Sequence, residues 1–176
     1  MPDPDYENLH PCFAWVRDYL RKAATPHRLP GRQHIDPVDL RNVLNLVNLA
    51  EVLREAGRLR FRFRLVGTTQ TVVAGREITG KYVEDAVLPE LRDRIIENMR
   101  RTVERKAPVY DRFPMPHPGR SFIDTERIYF PLASDGECVD MLLILNGYPG
   151  NPEFMPRAGL FPASPPGAAS TSRQPP

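Results

Sequence analysis

Arginine and apolar side chains alternate strictly along residues 58–65. This period of two predicts a β-strand with one buried face, bounded by Gly57 before it and Gly67 after it. The apolar positions of this strand are Leu59, Phe61, Phe63 and Leu65. Residues 46–53 are also mostly apolar, so we expect the two segments to form a hairpin around residues 54–57.

Three more strands are predicted in the second half of the chain, over residues 109–115, 122–132 and 138–147. Residues 134–136 (Ser-Asp-Gly) are typical of the turn between the last two. Residues 141–145 are apolar at every position rather than at alternate ones. Such a run indicates a strand covered on both faces, which lies in the middle of its sheet.

Helical periodicity is clearest over residues 88–106, where apolar side chains recur every three or four positions. The residues on this face are Leu88, Leu91, Ile95, Met99 and Val103. A short helix is predicted to begin at Asp36, and residues 68–81 are predicted to form a helix and turn in which Gly75 caps the helix.

Another helix is predicted over residues 10–24, with Pro11 at its first position. Its apolar surface forms two stripes, which is wider than packing on one surface requires. We expect one stripe to pack on the domain and the other to meet a second copy of the chain. The predicted homodimer interface consists of Phe13, Trp15, Val16 and Leu20.

The order of elements is a helix, two strands, a helical crossover and three strands. This order predicts an α+β fold in which an antiparallel sheet carries helices on one face and has an N-terminal flanking helix. Residues 1–34 are assigned to this helix and a linker, and residues 35–148 to the domain. Residues 149–176 are rich in proline and predict a disordered tail, although Phe154, Met155, Leu160 and Phe161 are able to dock.

Several short segments occur in an order that resembles a known family. They are residues 29–32, 35–40, 61–68, 78–81 and 139–143, preceded by the helix with Trp15. Together they resemble the PAS domain family, in particular its fifth group, which is common as short stand-alone proteins in alphaproteobacteria. The resemblance spans residues 9–147 and implies a five-stranded sheet in the order 2-1-5-4-3. It implies binding of small molecules or other domains, and it supplies no catalytic residue.

Composition narrows the function further. The 176 residues carry a net charge of only +2, which argues against nucleic-acid binding as the main activity. The N-terminus lacks the basic and apolar regions of a signal peptide, and no apolar run approaches the ~20 residues that cross a membrane. We therefore expect a cytoplasmic protein with neither nucleic acid nor membrane as its partner.

The resemblance to PAS domains indicates which cofactor-binding residues to look for. Flavin photosensors of the PAS type use a cysteine before the main helix, and residues 68–88 contain none. Haem-binding members use a histidine on the main helix, and residues 88–106 contain none. Both cofactors are therefore argued against, and the cofactor stays unknown. The four histidines lack metal-ligand spacing, so no metal site is predicted.

Two cysteines, Cys12 and Cys138, are far apart in the sequence. Both are expected to be reduced and packed, and a redox-sensing thiol at Cys138 is the alternative.

The arginines of residues 58–66 have two interpretations. In the strand order that the resemblance implies they lie on an edge strand, where charge discourages aggregation. Glu51 or Asp140 would then pair with Arg62 or Arg64. Alternatively, Arg62 and Arg64 form an anion or partner site on the outer face of the sheet.

A ligand cavity between sheet and helices would be lined by aromatic and methionine side chains. The candidates are Phe63, Tyr82, Met99, Tyr110, Tyr129 and Met141. The same residues would equally serve a filled core.

Three functions are compatible with these features. The first is a stand-alone sensor or regulatory domain that binds a small molecule, a signalling partner or both. The second is a structural dimerisation or interaction module with a filled core. The third, an isomerase or dehydratase on a cone-shaped α+β fold, would rely on Asp111 and Asp124, which have no recognisable partner residue; no catalytic residue is assigned.

Overall fold

The computed structural model describes residues 4–117 and 120–161 and contains a five-stranded antiparallel sheet in the order β2-β1-β5-β4-β3. The strands are β1 (Val47–Glu55), β2 (Arg58–Leu65), β3 (Val109–His117), β4 (Arg120–Leu132) and β5 (Met141–Gly147). The helices are α1 (Pro11–Ala23), α2 (Thr68–Ala74), α3 (Val83–Ala86) and α4 (Pro89–Arg105). The predicted fold and strand order are confirmed.

Strand β2 lies at one edge of the sheet, and β5 lies in the middle between β1 and β4. The last six residues of β5 are all buried, as expected for an apolar run without alternation. The β1–β2 hairpin turns at Ala56 and Gly57, whose φ angles are 48° and 74°. Two consecutive positive φ angles match the twist of the flanking strands, which is why a two-residue turn closes this hairpin.

Helices cover the two faces of the sheet differently. We call the face that carries Asp111 and Asn146 the α4 face, because Arg94 and Asn98 of α4 bind Asp111 there. We call the opposite face, which carries Glu126 and Gly147, the α1 face.

The ring of Phe13 in α1 lies so close to Gly147 that a Cβ at this glycine would stand 2.7 Å from the ring. Helix α1 therefore packs across the face opposite to α4.

Both apolar stripes of α1 are covered within the chain. The predicted interface residues Phe13, Trp15, Val16 and Leu20 are all buried. Trp15 stacks on Tyr19 at 5.8 Å and meets the edge of Phe161, also at 5.8 Å. The stripe expected to face a partner is thus occupied by the chain's own C-terminal segment.

Residues 149–161 correct the predicted disordered tail. They form two 3₁₀ turns, and Phe154, Met155 and Phe161 pack against the core, whereas Leu160 is exposed. Phe154 lies 5.6 Å from Tyr148, ring to ring. A few aromatic anchors hold the segment in spite of its prolines, and composition alone does not register them. The rest of the predicted tail, residues 162–176, lies outside the described residues.

The helix predicted to begin at Asp36 is absent, because residues 37–43 form turns that lead into a 3₁₀ turn at Leu44–Leu46. Two further local features differ from expectation. The four-residue helix α3 is too short to display a helical period and was not predicted. Strand β5 begins at Met141, and Cys138 lies in the preceding turn, where Asp135 accepts its backbone N–H. Across the part of the chain that is described, every helix is too short or too polar to span a bilayer.

Candidate functional site

A cavity of about 140 Å³ opens between α2, the α3–α4 corner and the ends of β3 and β4. Its wall is mostly apolar and includes Val73, Ile78, Ala86, Leu91, Ile95 and Met115. Its polar lining comes from Gln70, Arg76 and Arg127. No aspartate or glutamate lines it, so positive charge dominates the described wall.

The segment after α2 forms one side of this cavity. Helix α2 ends at Ala74 and is capped by Gly75, whose φ of 67° turns the chain sharply. The chain then runs along the edge of β2, where Phe63 donates to the Lys81 carbonyl at 3.0 Å and accepts from Gly80 at 2.7 Å. Arg76 is fixed at the rim because its Nη2 donates to the Ala86 carbonyl at 2.7 Å.

Arg127 of β4 is the buried cation of the cavity, with 6% of its surface exposed. Its guanidinium lies 4.9 Å from the centre of the Phe113 ring, and its Nη2 is 3.9 Å from the sulfur of Met115. Its Nε has no hydrogen-bond partner among the described residues. No carboxylate of the described chain lies within ion-pair distance of it, which is unusual for a buried arginine.

Asp111 is the nearest acidic candidate, since it stands directly across from Arg127 on β3. Its carboxylate is already held by α4. Arg94 Nε donates to it at 2.8 Å, a second Arg94 nitrogen donates as well, and Asn98 Nδ2 donates at 2.7 Å. The negative charge of Asp111 is therefore neutralised by Arg94, and Arg127 has no counter-charge among the described residues.

One more buried polar atom beside Arg127 lacks a hydrogen-bond partner among the described residues: Oδ1 of Asn146, which stands opposite Arg127 on β5. The Tyr129 hydroxyl makes no hydrogen bond of normal geometry with the described residues, but it lies near the side chains of Arg127 and Asn98. Burial raises the pKa of Tyr129, and the positive charge of Arg127 opposes that shift. Unsatisfied buried polar atoms are rare in native proteins, and a group of them indicates a bound water, ion or ligand.

The residues predicted from the sequence to line a cavity lie in different parts of the structure. Phe63, Met99 and Tyr129 lie in the core on the α4 side. Tyr110 and Met141 lie on the α1 face, because they pair with Ile128 and Leu132, whose side chains alternate away from α4.

Tyr82 lies at the sheet edge, 3.7 Å beneath the guanidinium of Arg60. None of the six predicted residues lines the 140 Å³ cavity.

Arg127 was missed by the sequence interpretation, although a signal for it exists. Ile123, Thr125, Arg127 and Tyr129 share one face of β4, and three of them suit a core. A charged residue at an inward position of such a strand is the informative observation.

Arg62 and Arg64 of β2 are paired, as the structural interpretation expected. Arg62 and Arg64 both reach Glu51, at 2.7 and 3.1 Å. Asp140, the other predicted partner, instead accepts the backbone N–H of Ser134. The side chains of Arg62 and Arg64 are 37% and 56% exposed, and their role toward an anion or a partner stays a prediction.

The two carboxylates considered for catalysis are both held by arginines. Asp111 is bound by Arg94, and Asp124 lies 2.6 Å from Arg112. Cys12 is buried, which raises its pKa to about 12, whereas Cys138 is exposed rather than packed. The exposure of Cys138 follows from its place in the turn before β5.

Comparison with known proteins identifies the fold. A family model described as a PAS domain matches residues 9–145. No curated protein matches the chain.

Solved structures align with it at low sequence identity. VqmA bound to DPO has a TM-score of 0.50 and 11% identity, and the alignment covers 64% of this chain and 56% of that one. A LOV protein of Rhodobacter sphaeroides has a TM-score of 0.47 and 11% identity, with coverages of 66% and 69%. The PAS domain of a Colwellia psychrerythraea protein has a TM-score of 0.45 and 14% identity, with coverages of 64% and 97%.

Proposed function

This chain belongs to the PAS domain family, and from that premise we propose that it is a regulatory module that binds a small molecule in the cavity beside α2–α4. PAS domains generally act as sensors in signalling rather than as enzymes. Occupancy of the cavity changes how α2, α3 and α4 pack on the sheet, and a partner protein responds to that change.

The observation that carries this proposal is a buried arginine at an accessible cavity that has no ion-pair partner in the described part of the chain. Arg127 lines the cavity and its Nε has no hydrogen-bond partner among the described residues, whereas Tyr129 and Asn146, which lie beside it, do not line the cavity. A filled core would be expected to bury apolar atoms here or to satisfy the polar ones. A ligand in the cavity would supply a partner for Arg127.

Native mass spectrometry and an absorption spectrum of the freshly purified protein test the proposal, together with thermal shifts across a metabolite library. A ligand that binds only the folded state raises the melting temperature in proportion to its affinity. Ala86→Leu narrows the cavity from α3 and should abolish these shifts, whereas Ala158→Leu at an exposed position should preserve them. A protein that retains no molecule and responds to no compound would refute ligand binding.

A second candidate is an interaction module, and one observation favours it. A largely apolar groove of about 240 Å³ runs along the α1 face between α1, the following linker and β4, lined in part by Leu20, Leu29, Phe130 and Pro131. The homodimer predicted from the sequence would use this groove, because Phe13, Trp15 and Val16 are buried and do not line it, whereas Leu20 does. Apolar grooves of this kind commonly mark contact surfaces.

Light scattering tests the homodimer. Leu29→Lys places a charge in the groove and should convert a dimer to a monomer. Val38→Lys changes a residue that is 64% exposed and does not line the groove, so it should leave the mass unchanged. A parent protein with the mass of a monomer would exclude the dimer.

A further inference from the structure

We propose that the cavity binds a small organic carboxylate whose carboxylate group pairs with Arg127. This inference rests on the proposed ligand-binding function and names the chemical class of its ligand.

The first argument is charge. A buried guanidinium without a counter-charge loses its hydration and forms few interactions that compensate for the loss. This lowers the stability of the ligand-free protein. Asp111 is engaged by Arg94 and Asn98, and Glu126, the neighbour of Arg127 in sequence, points to the α1 face. Among the described residues that line the cavity, the two charged ones are both arginines, Arg76 and Arg127. The missing group is therefore an anion.

The second argument is the chemistry of the guanidinium. Arginine presents its N–H donors in a planar fork that matches the two oxygens of a carboxylate. The guanidinium of Arg127 lies over the Phe113 ring and beside the Met115 sulfur, which restrict its movement. The Tyr129 hydroxyl, which does not line the cavity, lies close enough to Arg127 for the positive charge to oppose the rise in its pKa.

The third argument is size and polarity. A dry cavity of about 150 Å³ accepts a molecule the size of benzene, and this one measures about 140 Å³. Its remaining wall is largely apolar, with Val73, Ile78 and Ile95 among the lining side chains. A ligand of about six non-hydrogen atoms with an acidic head and a short hydrocarbon body fits both constraints. An inorganic anion would leave the apolar wall without a partner.

Butyrate and butyramide provide a matched pair of probes, because they have the same number of non-hydrogen atoms and differ in charge. Thermal shift and calorimetry should show that butyrate binds the parent protein about 10- to 100-fold more tightly than butyramide, as expected for a charge-assisted pair. Sodium chloride at equal ionic strength should have no comparable effect, and neither should inorganic phosphate.

Variants at position 127 test whether Arg127 is the residue that binds butyrate. Arg127→Met removes the buried charge with a side chain of similar reach, so its melting temperature should equal or exceed that of the parent, and its response to butyrate should be lost. Arg100→Met removes an exposed arginine of α4 and should respond to butyrate like the parent. Arg127→Lys, which keeps the charge but not the fork, should bind butyrate about 10-fold more weakly. This variant and the probe pair decide the question if Arg127→Met does not fold.

Several results would overturn the inference. Equal or tighter binding of butyramide would mean a neutral ligand, and a response to phosphate alone would mean an inorganic anion; in both cases ligand binding itself would stand. A butyrate response that survives in Arg127→Met would place the anion elsewhere. The absence of any response to either probe would also overturn the inference, and the proposed function would fail with it only if the metabolite library were equally silent.

Discussion

Arginines on the two faces of the sheet differ in whether they form ion pairs with carboxylates. On the α1 face, Arg62 and Arg64 share Glu51, and Arg112 meets Asp124 and Glu126. On the α4 face, Arg127 meets no carboxylate within ion-pair distance among the described residues. The arginines named on the first face are paired as they stand. The second face has a buried charge that a ligand would complete.

Exposure explains why the difference matters. The arginines of the α1 face are a third or more in solvent, and such pairs contribute only about 0–1 kcal/mol each. An unpaired arginine on that face would lower the free energy of unfolding only slightly and would not indicate a binding site. Arg127 has 6% of its surface exposed, so its unpaired charge is a measurable energetic cost that a bound anion would offset.

The largest predicted effect tests whether the α1 face is closed by the chain itself. Phe13 is fully buried against Gly147, so Phe13→Ala should lower the free energy of unfolding by about 3–5 kcal/mol in chemical denaturation. Val72→Ala, at a position that is 64% exposed, should change it by less than ~0.5 kcal/mol. A loss below ~1 kcal/mol for Phe13→Ala would mean that α1 is not firmly packed.

The next effect tests the polar interior of the α4 side. The buried Tyr148 hydroxyl donates to Gln70 Oε1 at 2.7 Å, so Tyr148→Phe leaves that acceptor unpaired and should cost about 1–3 kcal/mol. Tyr82→Phe removes a part-buried hydroxyl that donates to Glu55 and serves as the control, with a change of less than ~0.5 kcal/mol. Equal losses in the two variants would contradict the contrast between interior and edge.

A smaller effect tests the paired arginines of the edge strand. A double-mutant cycle of Arg62→Met and Glu51→Gln should give a coupling energy of about 0.2–1 kcal/mol from thermal unfolding. Arg64→Ala should likewise lower the melting temperature slightly, without affecting ligand binding. Loss of ligand or partner binding at an unchanged melting temperature would instead assign these arginines to a binding site.

The smallest effect concerns pH. Burial raises the pKa of Glu126, and Arg112 and the Tyr110 hydroxyl oppose that shift only in part. The folded state therefore favours the protonated carboxyl, and this stabilisation is lost as the pH rises above the ordinary value of 4.5. Glu126→Gln should melt slightly higher than the parent at pH 8, and the difference should disappear toward pH 4.5. A lower melting temperature for the variant at pH 8 would show that attraction to Arg112 outweighs burial.

Much of the fold could be predicted because its signals are local. The alternation in residues 58–65 and the continuous apolar run at 141–145 specify how many faces of each strand are buried. The candidate site was harder to predict from the sequence. Tyr110 and Met141 were assigned to the cavity for their chemical type, but the face on which each lies depends on strand register, where a shift of one residue reverses every side chain.

The sequence by itself determined the elements, their order and the family, because periodicity and turn residues act over a few positions. Only the tertiary structure decided which charges are paired. Arg127 and Arg62 are both arginines within strands, and although the residues that share a strand face with Arg127 mark it as inward, they do not show whether its charge is paired. Glu51 reaches Arg62 across the β1–β2 hairpin, whereas Asp111 opposite Arg127 is bound by α4 instead. Pairing depends on which side chains distant segments bring within a few ångströms, and that is settled only when the chain is folded.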